Sequence, residues 1–152
     1  MTDDPTKAED LRIERVFDAP RELVFEAWLS PKHLSNWYGP ANYTVPLERI
    51  VVEPREGGRW ELEMVQGDAG AGHPLRSRIV ELVEPELLVI ENEALPEHGI
   101  GVTRTRVELS DEGGKTRMVL TDGPYEPRMG DMAGQGWGGA MDKLATVLAA
   151  SS

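Results

Sequence analysis

A chain of 152 residues with 39% hydrophobic residues is long enough for one domain with a sizeable core, and its formal net charge of −11 is strongly negative. Such a charge repels phosphate backbones and anionic lipid surfaces, so we expect neither a nucleic acid nor a membrane as a partner. The absence of cysteine excludes disulfide bonds and thiolate metal sites. No apolar run reaches the roughly 18 residues of a membrane-spanning helix, and we expect a cytoplasmic protein.

The N-terminal residues 1–10 are polar and acidic, with no secretory signal pattern, and we expect a disordered acidic tail there. A single domain is predicted over residues 11–150. Its first element is a strand over Leu11–Phe17, in which both alternating faces include apolar side chains.

Two short helices are predicted after this strand. Pro20 suits the first turn of a helix, because its missing N–H would have no partner there. Ser30 and Pro31 end this helix and begin a second one, with Ser30 as the N-cap and Pro31 as the first helical residue. The second helix is expected to end near Trp37, before Gly39 and Pro40 break the chain.

A period of two residues then predicts six strands with short turns between them. The predicted strands are Thr44–Val52, Gly58–Gln66, Leu75–Val83, Glu86–Glu93, Gly101–Ser110 and Thr116–Thr121. The glycine-rich segment 67–72 lacks the Lys and Ser/Thr of a phosphate-binding loop, so we predict a flexible hairpin there. Evenly spaced strands joined by such turns are typical of an antiparallel meander.

The last segment, 131–150, is predicted to be a helix. Trp137, Met141, Leu144 and Leu148 fall on one stripe at helical spacing. Its first half contains four glycines, each of which costs about 1 kcal/mol relative to Ala in a helix interior. They indicate either close approach of a neighbouring segment or a mobile edge over a cavity.

Three stretches in this order resemble a known superfamily. They are Ala19-Pro20 with Trp28 and Trp37, the turn Arg55-Glu56-Gly57-Gly58-Arg59-Trp60, and the late pair Gly136-Trp137. Over residues 11 to 149 the sequence is similar to the START-like (SRPBCC) superfamily, and within it to the bacterial homologues of the activator of heat-shock protein 90 ATPase. This resemblance implies an α+β helix-grip fold, in which a curved antiparallel seven-stranded sheet surrounds a long C-terminal helix and two short helices follow the first strand.

The resemblance also implies a hydrophobic pocket between the sheet and the last helix. We predict that nine residues bind the ligand: Trp37, Tyr38, Trp60, Leu62, Met64, Met118, Trp137, Met141 and Leu144. Aromatic and methionine side chains suit adaptable apolar pockets. The alternative is that these residues are simply the core between the helix and the sheet.

No pattern of catalytic or metal-ligating residues stands out. His33, His73 and His98 lack metal-ligand spacing, and no serine-nucleophile elbow is present, so no catalytic residue, metal or cofactor is predicted. Arginines at alternate positions on two strands (Arg76, Arg78, Arg104 and Arg106) could recognise an anionic head group. Pairing with glutamates across a solvated sheet face explains them without a function, and we favour that interpretation.

The leading hypothesis is a protein that binds a small apolar or amphipathic molecule, without an assigned reaction. The resemblance supplies two alternatives: a co-chaperone-like interaction module with the chaperone as its partner, and an enzyme of the cyclase or hydrolase type. The enzyme would need polar groups that converge inside the pocket, and we expect a mostly apolar lining. Both a monomer and a homodimer remain open.

Overall fold

The computed structural model describes residues 8–66 and 72–151, which form one antiparallel sheet with a long helix packed against its concave face. The strands are β1 (Glu9–Phe17), β2 (Tyr43–Thr44), β3 (Val51–Val52), β4 (Arg59–Gln66), β5 (Gly72–Val83), β6 (Leu87–Asn92), β7 (Thr103–Glu112) and β8 (Lys115–Tyr125). The helices are α1 (Arg21–Leu29), α2 (Pro31–Trp37) and α3 (Pro127–Ser151), with 3₁₀ turns at Leu47–Arg49 and Pro96–His98.

The sheet follows the path β1-β8-β7-β6-β5-β4-β2, and the two-residue strand β3 also pairs with β4. Strands β4 to β8 form the predicted meander, and β1 pairs with β8 as an edge strand of the sheet. The seven strands on this path, the two short helices after β1 and the long C-terminal helix confirm the predicted α+β helix-grip fold.

The predicted strand Thr44–Val52 is wrong in its middle part. The segment divides into β2, a 3₁₀ turn at Leu47–Arg49, and β3. Pro46, which immediately precedes the turn, has no N–H to donate to a neighbouring strand, so a continuous ladder is interrupted there.

Several boundaries differ from the sequence-based expectation; β8, for example, continues to Tyr125 instead of ending at Thr121. Strand β1 begins at Glu9, inside the predicted tail, whose residues 1–7 lie outside the described residues. The predicted hairpin loop also lies outside them, except for Gly72, which begins β5. Helix α3 begins at Pro127, four residues before the predicted start, where a proline is tolerated at the first helical position.

The junction between α1 and α2 is formed as predicted. The Ser30 hydroxyl accepts a hydrogen bond from the backbone N–H of His33 at 3.4 Å, and Pro31 is the first residue of α2. Pro20 is the N-cap of α1 rather than its first helical residue. The two helices bury Phe25, Trp28 and Trp37 against the rest of the molecule.

The core lies between the concave face of the sheet, α1, α2 and the apolar stripe of α3. All four residues of the predicted stripe (Trp137, Met141, Leu144 and Leu148) are buried, which confirms its orientation. Apolar side chains of β6, β7 and β8 face it at alternate positions: Leu88, Ile90, Val107, Leu109, Met118 and Leu120. None of the described helices combines the length and the apolar character needed to cross a membrane.

Candidate functional site

A cavity of about 210 Å³ lies between the sheet and the N-terminal half of α3. One water molecule needs about 10–15 Å³, so the space has room for several waters or for a small organic molecule. The loop after α2 closes one side of it through Tyr38, Gly39 and Pro40. Most of its wall is apolar, and its largest apolar residues are Met64, Leu75, Leu95, Ile100, Met132 and Trp137.

Two glycines allow α3 to approach this loop closely. A Cβ atom on Gly136 would lie 3.2 Å from Cγ of Pro40, and one on Gly139 would lie 2.8 Å from the backbone nitrogen of Ala41. The second distance is shorter than real Cβ contacts allow. Of the two explanations for the glycines in this helix, close approach therefore holds at Gly136 and Gly139, whereas a Cβ on Gly138 would meet nothing within 4 Å.

Lys143 ties the same loop to α3. Its ammonium group donates to the backbone oxygens of Tyr38, Pro40 and Tyr43 at 3.3, 3.1 and 3.1 Å. Desolvation lowers the pKa of Lys143 below its usual value. These three hydrogen bonds from Lys143 fix the position of the loop that forms the cavity wall.

An aromatic cluster bounds the cavity on the side of α1 and α2. Trp28 lies 4.8 Å from Trp37 and 5.9 Å from Trp137 between ring centroids. Tyr38 lies 5.2 Å from Trp60 and 5.6 Å from Trp137, both edge-to-face. These rings fill the space next to the cavity and leave only Tyr38 and Trp137 in its lining.

A row of polar side chains crosses four strands on the otherwise apolar inner face. Ser77 of β5 faces Asn92 of β6, Asn92 faces Thr103 of β7, and Thr105 faces Asp122 of β8. The Asn92 side chain accepts from the Ser77 hydroxyl at 2.5 Å and donates to the hydroxyls of Thr103 and Thr105 at 3.1 and 3.0 Å. The Thr105 hydroxyl donates to the Asp122 carboxyl at 2.8 Å. All but Ser77 line the cavity.

Asp122 is the ionisable end of this row and is only 2% exposed. Besides Thr105, its carboxyl accepts hydrogen bonds from the Tyr125 hydroxyl at 2.7 Å and from the Trp137 indole N–H at 2.9 Å. Desolvation raises the pKa of Asp122, and the three hydrogen bonds offset only part of this effect. Burial, followed by the nearby Asp122 carboxyl, raises the pKa of Tyr38 and of Tyr125.

The nine residues predicted to bind a ligand divide into two groups. Tyr38, Met64 and Trp137 line the cavity. The other six do not line it and lie buried in the core: Trp37, Trp60, Leu62, Met118, Met141 and Leu144. Along β4, Trp60, Leu62 and Met64 alternate as predicted, but only Met64 lines the cavity. The aromatic cluster fills the space over Trp60.

Sequence reasoning missed the polar row, so the expectation of a mostly apolar lining is incomplete. Asn92 continues the inward positions of Leu88 and Ile90, and Asp122 continues those of Met118 and Leu120. In each strand a polar residue occupies the next inward position after two apolar ones, and this pattern could have identified Asn92 and Asp122 from the sequence. The phenol of Tyr125 has no comparable signal, because regular alternation would place Asp122 and Tyr125, three residues apart in β8, on opposite faces, and the register of β8 with β1 shifts between them.

The four alternating arginines do not line the cavity. They belong to the exposed positions of β5 and β7. Arg104 pairs with Glu91 at 3.0 Å and Arg106 with Glu108 at 2.6 Å, both on the solvated face. Arg104 thus forms the cross-strand ion pair that the favoured interpretation predicts, whereas Arg106 pairs with a glutamate of its own strand.

Comparisons with known proteins agree with this architecture. A family model described as Activator of Hsp90 ATPase homolog 1-like protein matches residues 18–149. A search of curated proteins gave no match. Among solved structures, protein CV1439 from Chromobacterium violaceum is 22% identical with a TM-score of 0.81, covering 91% of this chain and 96% of that chain. The AHSA1 protein from Silicibacter pomeroyi is 23% identical with a TM-score of 0.79, covering 95% of this chain and 100% of that chain. At these identities the solved structures show a shared fold.

Proposed function

The chain belongs to the family described as Activator of Hsp90 ATPase homolog 1-like protein, and within that family we propose that it binds a small apolar or amphipathic molecule. The ligand would occupy the cavity between the sheet and α3. The observation that supports this proposal is the cavity itself, about 210 Å³ with apolar walls and one polar row at the sheet.

The arrangement of the cavity wall suits an amphipathic guest. Apolar surface on β4, on β5 and on α3 would bury the hydrocarbon part, which favours binding by about 25 cal/mol per Å² removed from water. A few convergent polar groups in such a pocket fix the orientation of a ligand. Here they are Asn92, Thr103, Thr105, Asp122 and Tyr125.

Filling the cavity tests this proposal. Ala133 lines it from α3, so Ala133→Trp places an indole in the space that a ligand would occupy. Gln135 is exposed on the same helix, so Gln135→Trp is the matched control for the added indole. We expect the wild type and the control to retain an apolar dye such as Nile red, and Ala133→Trp to lose it.

The identity of the ligand can be sought by native mass spectrometry of the protein incubated with a metabolite extract. An adduct that appears with the wild type and with Gln135→Trp but not with Ala133→Trp would support binding in the cavity. Equal dye binding by all three proteins would contradict it.

The second candidate function is a protein-interaction module that acts on a chaperone. The observation that favours it is the description of the matching family, together with the AHSA1 name of a protein of the same fold. The test is a pull-down with the chaperone and its ATPase rate with and without this protein. No association and an unchanged rate would exclude the chaperone as a partner under the conditions used.

The third candidate is an enzyme of the cyclase or hydrolase type. The observation that favours it is Asp122, because a buried carboxyl with a raised pKa beside a cavity suits general acid–base chemistry. Any molecule identified by native mass spectrometry can be incubated with the protein and recovered. An unchanged mass and retention time after incubation would contradict this candidate.

A further inference from the structure

We infer that the bound molecule has a hydrogen-bond-donating head group without negative charge, an alcohol or an amine, and that the cavity discriminates against apolar carboxylates. This inference rests on the proposed ligand-binding function and specifies its substrate class. Its basis is the unequal number of unused donors and acceptors in the cavity wall.

The unused hydrogen-bonding capacity of the polar row consists mostly of acceptors, and its one remaining donor is the hydroxyl of Thr103, which accepts from Asn92. The Asp122 carboxylate has about four acceptor positions, of which Thr105 occupies one on Oδ1 while Tyr125 and Trp137 occupy two on Oδ2. One position on Oδ1 is therefore left. Asn92 uses both hydrogens of its amide nitrogen on threonines, but its oxygen accepts only from Ser77 and keeps a second lone pair.

The rest of the wall offers one further unused donor. The Tyr38 hydroxyl has no hydrogen-bond partner in the described part of the chain, although the residue is 91% buried and lines the cavity. Lys143 is close in the sequence of α3, but its ammonium group is directed to three backbone oxygens of the loop. No lysine, arginine or histidine is among the described residues that line the cavity.

Negative charge at the cavity also disfavours an anionic head group. Two acidic residues are among those that line the cavity, the buried Asp122 at the sheet and the exposed Glu93 at the rim, and the chain as a whole has a net charge of −11. An anionic head group would have to lose its hydration next to these groups without a cation to compensate. An alcohol or an amine instead donates to Asp122 or Asn92. One further hydrogen bond to a charged group corresponds to roughly a tenfold or larger change in Kd.

Three probes with the same hydrocarbon chain separate the head group from the apolar contribution. Octanol, octylamine and octanoate are titrated into the full chain by isothermal titration calorimetry, below the concentrations at which they aggregate. We expect octanol and octylamine to bind at least about tenfold more tightly than octanoate. Octanoate binding as tightly as octanol, or more tightly, would overturn the inference.

Two variants test the residues involved. Glu93→Gln should lower the preference for octylamine over octanoate by roughly two- to fivefold, because an exposed charge contributes modestly, and should leave octanol binding unchanged. Glu97→Gln is the control, since this exposed residue near the cavity mouth is absent from its lining. An equal effect of both variants would show that net charge, and not the rim carboxyl, sets the preference.

Asp122→Asn replaces one acceptor atom of the carboxyl by a donor and should raise octanoate binding relative to octylamine. Should this variant fail to fold, the comparison of octanol with octanoate on the wild type still decides the head-group assignment, and Glu93→Gln against Glu97→Gln still tests the contribution of the rim charge.

The outcomes distinguish this inference from the function on which it rests. Equal binding of all three probes that is lost in Ala133→Trp would leave the cavity function in place and overturn the head-group assignment. No binding of any probe, together with no dye binding, would overturn both.

Discussion

The contact between α3 and the loop after α2 leads to a prediction about two neighbouring glycines. Replacing Gly by Ala in a helix interior gains about 1 kcal/mol from conformational preference alone. At Gly138 the added Cβ meets nothing within 4 Å, so Gly138→Ala should raise the free energy of unfolding by that amount.

At Gly139 the same gain is opposed by a steric clash. The added Cβ would lie 2.8 Å from the backbone nitrogen of Ala41 and 3.2 Å from its Cβ, so either the loop or α3 has to shift. Overpacking of this kind costs about 1–3 kcal/mol. Because the conformational gain is common to both substitutions, the difference in stability between Gly138→Ala and Gly139→Ala should equal this steric cost.

Thermal unfolding followed by far-ultraviolet circular dichroism measures the difference. For a domain of this size, each kcal/mol corresponds to about 2–4 °C in Tm. We expect Gly138→Ala to melt above the wild type and Gly139→Ala to melt below Gly138→Ala. Equal melting temperatures for the two variants would refute the close approach of α3 to the loop.

Lys143 provides a second check on this reasoning. Its ammonium group holds the backbone oxygens of Pro40 and Tyr43 at 3.1 Å, so the loop cannot retreat from an added methyl group without lengthening these bonds. In a Lys143→Met background the loop is released, and the cost of Gly139→Ala should decrease. A double-mutant cycle measures this coupling. Additive effects of the two substitutions would show that Lys143 does not hold the loop in place.

Four further substitutions test the core and the polar row. Trp137→Ala should cost about 3–5 kcal/mol in urea unfolding, because the indole is 91% buried and donates to Asp122; a cost below about 1 kcal/mol would contradict its burial. Trp60→Phe should cost about 1 kcal/mol more than Trp28→Phe, since the Trp60 N–H donates to a backbone oxygen at 2.9 Å whereas the buried Trp28 N–H has no partner in the described residues. The folded-state pKa of Asp122 is raised above its usual 3.8, which means that the folded protein favours the protonated carboxyl. The stabilisation from this protonated form is present below pH 3.8 and is lost as the pH rises through the higher folded-state pKa. The stability cost of Asp122→Asn should therefore shrink as the pH rises from about 3.8, and a cost that grows with pH would reverse the assigned direction.

The cavity explains why an aromatic stripe alone is a poor guide to a binding site. Trp60 and Trp137 both lie on inward-facing positions, and both are buried. Trp60 is covered by Tyr38 and donates to the backbone of α1, whereas Trp137 presents part of its ring to open space and its N–H to Asp122. Both tryptophans face inward, and the neighbours that surround each ring decide which of them borders the cavity.

Local sequence signals determined most of the architecture of this protein. Ser30 and Pro31 end one helix and begin the next whatever surrounds them, because capping and the missing proline N–H act within a few residues. Alternation along β4 to β8 and the stripe that includes Met141 set which side chains face inward, because side-chain direction follows from the period of each element. Where these local rules conflicted, as at Pro46, the predicted strand was wrong.

The tertiary structure decided which inward-facing residues border empty space. Asp122 and Asn92 are far apart in the chain, and they join one hydrogen-bonded row only because β6, β7 and β8 pair in a particular register. The cavity lies beside that row because Gly139 lets α3 approach the loop at Ala41 while the large rings pack on one side only. Unfilled volume depends on how several elements pack together, so no periodicity within a single element could have located it.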